Sequence, residues 1–290
     1  MKNKKNFKAK SNVSSARSAP PRVMPSRASS ARPAQRGSAL DNDGISKKWR
    51  CVTGTHSIAE LLNVRSSSVE VAWLKQGWSA VLELRELEEN LKKLRIRVVE
   101  KPVGLMDRWA SGHQGAILFS SQTPELDLHD GLDQASSIFL ILDGIEDPHN
   151  LGAILRTSWL TGVSGVLTPA NNSVGLTSTV HKVACGGVEH VPVDSESGFA
   201  TSVEELKKQG YWVYGLSHKG KKSLYDLELP ERVVWCIGSE DKGLRITTER
   251  LCDELIFIPQ KSAEASYNAS AATAIALSET KRQHLRQKNK

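Results

Sequence analysis

Apolar residues follow two different rhythms along this chain, and the change between them divides it. Between residues 51 and 122 they come in short groups. Ile58, Leu61 and Leu62 stand at i, i+3 and i+4, the spacing of one helix face, with Ser57 and Glu60 placed as a capping box. Residues 69–74 read as a strand, 82–94 as a charged helix, and 96–99 and 116–119 as short strands. Residues 120–137, rich in Asp, Ser, Gln and Pro, keep no apolar period and mark a boundary. From residue 138 onward, strands alternate with helices. The run 137–143 is apolar until Asp143-Gly144, which predicts a buried strand and a turn. Helices over 151–161, 178–184 and 203–209 then intercalate with strands over 163–168, 212–216, 233–237 and 255–258, and a last helix covers 268–287. Continuous apolar strands between helices predict a parallel sheet covered on both faces. The expected class is therefore α/β: a small α/β domain over 49–122, a linker over 123–137, and a mostly parallel sheet with helices on both faces over 138–290.

Charge adds a third region. The 290 residues carry 39 Lys plus Arg against 32 Asp plus Glu, a formal net charge of +7, yet residues 1–40 hold ten basic residues and no acidic one. Residues 1–40 are built mainly from Lys, Arg, Ser, Ala, Pro and Asn and bury too little surface to offset the entropy of ordering, so residues 1–48 read as a disordered basic tail. Such an arm binds polyanions by counterion release. A solubilising extension and an Arg- and Ser-rich organelle transit peptide are the other readings, and four prolines with no apolar stripe speak against the second. No apolar run approaches the roughly 18 to 20 residues of a membrane span. The four cysteines form neither a CxxC pair nor a Cys/His cluster at zinc-ligand spacing, so a cytoplasmic protein without a metal site is expected.

Ligands of open α/β sheets collect beyond the carboxyl ends of the strands. Three loops lie there: 143–150, 238–244 and 259–268. The first leads into a helix whose buried stripe is Leu151, Ile154, Leu155 and Trp159, with Pro148 and Asn150 suited to its start. Arg156 falls off that stripe. Leaning back over Gly152 and Ala153 toward the helix N-terminus, it suits a phosphate, although a solvated surface arginine fits the same pattern. Gly238 and Gly243 frame the second loop and allow close backbone approach, as they would in an ordinary turn. The third is a long polar excursion with Ser266 or Asn268 as helix cap, the kind of loop that often carries function. Residues 215–222 approximate a phosphate-binding P-loop, but Lys222 stands where Ser or Thr would hold magnesium and no helix follows. No GxGxxG follows a strand. His56, His149 and His181 lack a positioned Ser or Cys nucleophile.

In order, DGIEDPHNLGAILR (143–156), GSEDKGL (238–244) and IPQKSAEASYNASA (258–271) resemble the three signature motifs of the SpoU or TrmH family of RNA ribose 2′-O-methyltransferases, in the SPOUT superfamily. The similarity covers 138–285. Residues 51–122, opening with GTHSIAELL (54–62), resemble the small substrate-binding domain, related to RNA-binding ribosomal proteins, that precedes the catalytic domain in the family's ribosomal RNA methylases. The resemblance implies a deep trefoil knot, an exception to the rule against knotted chains. It also implies S-adenosylmethionine in the knot cleft and a homodimer completing the active site across its interface. As substrate it implies RNA, with a guanosine of large-subunit ribosomal RNA leading and transfer RNA as the alternative.

Carried over residue by residue, the adenosine-contacting positions fall on Gly238, Ile258 and Tyr267, while Asn150, Arg156, Glu240, Ser266 and Asn268 match the polar catalytic positions. An arginine stays protonated in proteins and is no free base. Arg156 would instead anchor the RNA phosphate and stabilise the developing alkoxide, Asn150 would orient Arg156 or the ribose, and Ser266 and Asn268 would shape the third loop. Three positions depart from the family pattern: Asp241 for Gly, Gln260 for Met, and Tyr267-Asn-Ala for Leu-Asn-Val. They leave a second reading, a non-catalytic RNA-binding paralogue, against which stands the presence of both Asn150 and Arg156.

Overall fold

The computed structural model describes residues 43–262 and 265–288. Most of the expected basic tail, residues 1–42, lies outside the described residues.

A four-stranded sheet comes first. β1 (Arg50–Val52), α1 (Thr55–Arg65), β2 (Val69–Lys75), α2 (Leu82–Lys93), β3 (Val98–Lys101), α3 (Val103–Trp109) and β4 (Ala116–Ser120) follow along the chain. The strands lie in the order β1-β4-β2-β3, with β4 antiparallel to both neighbours and β3 parallel to β2. Alternation along β2 sends Ala72 and Leu74 to the face that α1 and α2 cover with Ile58, Leu61, Leu84 and Leu91. Val71 and Trp73 go to the other face, joined by Ile45 and Met106. There Trp73 packs edge-on against Trp109 and Phe119, with ring centroids 5.8 and 4.8 Å apart.

The local signals of this region are partly overridden. α1 starts at Thr55 after Gly54, whose φ is 93°, and has no side-chain cap, so the expected capping box does not form. Ser57 Oγ donates instead to the His181 carbonyl at 2.5 Å, and Glu60 Oε2 pairs with His190 Nε2 at 2.8 Å. Both partners lie more than 120 residues further along the chain. The strand expected at 96–99 begins later because Ile96 N still donates to Leu91 O at 2.9 Å, in the closing turn of α2.

Residues 121–136 hold no helix or strand. β5 (Ser137–Asp143), α4 (Pro148–Thr161), β6 (Gly165–Pro169), α5 (Ser178–Ala184), α6 (Gly187–His190) and β7 (Val193–Glu196) come next. α7 (Ala200–Lys208), β8 (Trp212–Leu216), β9 (Lys222–Ser223), β10 (Arg232–Gly238), α8 (Ile246–Glu249), β11 (Glu254–Phe257) and α9 (Ala269–Gln287) complete the chain. Their seven strands run β7-β6-β5-β10-β8-β11-β9, each parallel to its neighbours, which makes this an α/β fold.

The unbroken apolar runs are explained by burial on both faces. Ile138, Leu140, Leu142, Val233, Trp235 and Ile237 meet the side chains of α4, α5 and α9, whereas Phe139, Ile141, Val234 and Cys236 meet Val203 and Leu206 of α7. Each such aliphatic or aromatic side chain contributes about 1.5–3 kcal/mol relative to exposure. Leu126, Leu128 and Leu132 of the connecting segment also pack on the α7 face. On the other face Trp235 Nε1 donates to Thr280 Oγ1 at 3.0 Å, seating α9. Among the described residues no helix is long and apolar enough to cross a membrane.

The two sheets meet through α1 and β1 on one side and α5 and α6 on the other. Arg50 grips Glu189 with two hydrogen bonds of 2.7 and 3.1 Å, and Arg65 Nη1 reaches the same carboxylate at 3.2 Å. Glu189 is 2% exposed, so its charge is compensated by guanidiniums rather than water. His181 lies beside it with a pKa pushed down to about 3, first by burial and then by the Arg50 charge.

Candidate active site

Three loops leave the carboxyl ends of adjacent or next-adjacent strands β5, β10 and β11, and side chains tie them together. Asp143, the last residue of β5, is 1% exposed and accepts from Arg245 N at 2.9 Å and Arg245 Nε at 2.5 Å. That pairing clamps the first loop to the end of the second. Asn150 does more: its Nδ2 donates to Glu240 Oε1, and its Oδ1 accepts from Asn268 Nδ2 at 2.9 Å. One amide, 7% exposed, thus joins residues 90 and 118 positions away.

The sequence offered Asn150 as a helix cap. Asp147 takes that role instead, accepting from His149 N at 2.9 Å with Pro148 following it at the helix start. Relieved of capping, the Asn150 side chain is free for the tertiary contacts. Asn268 does cap its helix, accepting from Ser270 N at 2.9 Å and Ala271 N at 3.4 Å while its Nδ2 reaches Asn150.

The second loop is a closed turn, with Gly243 N donating to Ser239 O at 2.9 Å. A Cβ on Gly238 would collide with the backbone of Gly243 and Leu244, so only glycine lets β10 end this close to its own return. Gly243 takes the positive φ, +65°, whereas Asp241 does not, and so Asp241 sits in the turn without backbone strain. In the third loop Gln260 Nε2 donates to Ala265 O at 2.6 Å, closing the polar excursion on itself.

These loops border a cleft of about 820 Å³, within the size range of small-molecule sites. Gly238, Glu240, Ile258, Ser266 and Tyr267 all line it. Leu216, Ile237 and Ile256 give it an apolar floor, and Tyr267, 42% exposed, stands at its rim. Residues 216–219 form a further wall that sequence reasoning missed. They belong to the stretch set aside as a failed P-loop, and their signal was only that they follow a strand, β8. Lys219 is held there by Glu249 at 2.7 Å.

Asn150 and Asn268 brace the cleft from behind rather than line it. Arg156 is apart from both. Its side chain is exposed, and Nη1 donates to Cys185 Sγ at 3.5 Å, just beyond the end of α5. The expected contact between Asn150 and Arg156 is replaced by Asn150 with Glu240, because the Asn150 amide faces the second loop while Arg156 lies on the α5 side of α4. Among the described residues no group of three or more His, Cys, Asp or Glu could hold a metal ion. His56, His149 and His181 lie outside the cleft wall.

Residues 137–278 match the SpoU rRNA Methylase family. The chain is 36% identical over 241 residues to the 23S rRNA (guanosine-2′-O-)-methyltransferase RlmB of Neisseria meningitidis serogroup B, covering 81% of this chain and 96% of that protein. To RlmB of Pseudomonas aeruginosa it is 36% identical over 242 residues, covering 81% and 97%. Among solved structures, the SpoU methyltransferase AviRb from Streptomyces viridochromogenes, in complex with the cofactor AdoMet, matches with a TM-score of 0.73 over 82% of this chain and 91% of that one. Its sequence identity is 18%, so the likeness is one of fold.

Proposed function

The chain belongs to the SpoU rRNA methylase family, and on that premise we propose that it transfers a methyl group from S-adenosylmethionine to a ribose 2′-hydroxyl of 23S ribosomal RNA, at a guanosine. The observation that carries this reading is the pair of Asn150 hydrogen bonds, which gather three distant loops behind one cleft.

The cleft fits the cofactor. It is large enough, it has an apolar floor for an adenine ring, and Gly238 is part of its wall. Gly238, Ile258 and Tyr267 would hold the adenosyl group. When bound, S-adenosylmethionine supplies an electrophilic methyl on a sulfonium. The protein's task is to place a ribose hydroxyl in line with that methyl and to accommodate the charge that forms as the hydroxyl loses its proton. Glu240 and Asn268, locked by Asn150, fix the loops that carry Ser266 and Tyr267. Arg156 binds the RNA phosphate next to the target ribose and stabilises the developing alkoxide.

Arg156 does not border the cleft of its own chain, so we assign it to the cleft of a second copy, in a homodimer whose two active sites are each completed by the partner. The exposure of Arg156, of Leu160 at 72%, and of Ser266 and Tyr267 at the cleft rim supports that arrangement. A deep trefoil knot, with the segment before α9 drawn back under the loop carrying Glu240, is supported by the return of Asn268 to Asn150. The four-stranded sheet over 49–122 serves as the platform for substrate RNA, with the basic arm as an auxiliary polyanion contact.

The test is single-turnover methylation of 23S rRNA by wild type and Arg156→Ala, with S-adenosylmethionine binding followed by calorimetry. The expected result is unchanged cofactor affinity and a rate lower by about 10²–10³, the cost of removing one charge-stabilising donor. Wild-type rates in the variant would remove Arg156 from the mechanism. A wild-type protein that binds RNA but no S-adenosylmethionine would make it a non-catalytic paralogue.

A further inference from the structure

Charged side chains where the two sheets meet are mostly engaged. Arg50 and Arg65 share Glu189, and Glu60 holds His190, whose ring stacks on Trp159 with centroids 4.2 Å apart. Arg50 and Arg65 are two cations against the two carboxylates Glu60 and Glu189, so this set is balanced. Lys182 adds a positive charge that the set does not match. It follows the buried His181 on α5, its side chain is exposed, and it has no acidic partner among the described residues.

Its position is defined by two glycines of the first sheet's loops. A Cβ on Gly54 would stand 3.5 Å from Lys182 Cγ, and a Cβ on Gly112 would stand 2.7 Å from Lys182 Nζ. The stem of this lysine therefore lies along Gly54, and its ammonium sits over the turn at Gly112. Both glycines have positive φ, +93° and +65°, so substitution at either would strain the backbone, and at Gly112 it would also displace the ammonium. Three residues further on, Cys185 Sγ accepts from Arg156 Nη1 at 3.5 Å. Arg156 likewise has no acidic partner among the described residues. Less than one turn of α5, a pitch of about 5.4 Å, thus separates the lysine over the first sheet's loops from the residue that holds the catalytic arginine.

We propose that Lys182 is a phosphate ligand for the RNA backbone, holding the strand as it passes from the four-stranded sheet across α5 to Arg156. The assignment rests on the methyltransferase reading and deepens it. A compact ammonium on a flexible stem contacts phosphate as a point charge and sets the register of the strand without reading its sequence. Lys182 is a substrate-positioning residue, since the reacting atoms lie at Arg156 and the cofactor cleft.

Lys182→Met tests this in the full-length protein, because it keeps the stem between the glycines and removes only the charge. Binding to deproteinised 23S rRNA is measured over a series of KCl concentrations for wild type, Lys182→Met and Lys182→Arg. The methionine variant is expected to bind about tenfold more weakly at 0.1 M salt, with the slope of log affinity against log salt reduced by about one. The arginine variant restores both, while Tm and S-adenosylmethionine affinity stay at wild-type values in each. A methionine variant with the wild-type salt slope, whether or not its affinity falls, overturns the assignment and leaves Lys182 a packing residue. Wild-type protein that does not bind 23S rRNA overturns the methyltransferase reading and this one with it. Wild-type binding with an unaltered variant slope overturns this one alone.

Discussion

Glu189 and Glu240 do the same formal job in unlike settings. Each joins segments far apart in sequence, Glu189 by taking Arg50 and Arg65 across the junction of the two sheets, Glu240 by taking Asn150 behind the cleft. Glu189 is almost without solvent contact, whereas the Glu240 residue is exposed. A dry charge is costly to leave unpaired, while a wet one is hydrated when its partner goes. The junction should therefore carry stability, and the cleft should carry activity at little cost to folding.

The sharpest way to break this contrast is to truncate both. Glu189→Ala strands two guanidiniums and is expected to lower unfolding stability by about 3–5 kcal/mol in urea titrations. Glu240→Ala is expected to change stability by no more than about 1 kcal/mol, yet to depress methylation strongly, by releasing Asn150. Equal losses of stability in the two variants would erase the distinction between them.

His181 sharpens the junction side. Its folded pKa of about 3 lies below the unfolded value of about 6.5, so the unfolded chain takes up the proton first. Stability is retained above about pH 6.5 and is lost as pH falls from there toward 3. Glu189 stands 3.9 Å away but is already engaged by two arginines, and burial dominates. Urea midpoints measured between pH 7 and 5 should fall less steeply in His181→Phe than in wild type, and identical slopes would refute the account.

The smallest expected effect lies on the cleft side. Asn268→Ala removes the α9 cap, worth about 1 kcal/mol, together with one of the two ties to Asn150. A modest drop in Tm should accompany a larger drop in methylation rate. A purely thermal effect would make Asn268 a cap and nothing more.

What the sequence disclosed follows the same division. The large sheet was legible because apolar runs such as 137–143 suit only a strand buried on both faces, and α4 and α9 because their stripes are long. Short elements such as β1, α3 and α6 carry too few residues for a period to emerge. The three loops were legible from their motifs, but not the ties between them. Local spacing offered Ser57 and Glu60 as a box and Asn150 as a cap. In each case a partner far along the chain claims the side chain, and no window of neighbouring residues contains it. Residues 216–219 fall in a stretch that fails the P-loop pattern, and it is their place after β8 that sets them beside the cleft.

The strand order has a consequence for biosynthesis. β10 lies between β5 and β8, pairing Ile138 with Val233 and Trp212 with Val233. During translation the four-stranded sheet has all its strands once Ser120 has emerged, but β5 keeps a bare apolar edge until nearly a hundred further residues are made. A nascent chain stalled in that interval displays an unpaired hydrophobic strand, the kind of edge that recruits chaperones or invites aggregation. Slow codons or pauses placed between β6 and β10 should therefore harm yield more than pauses elsewhere.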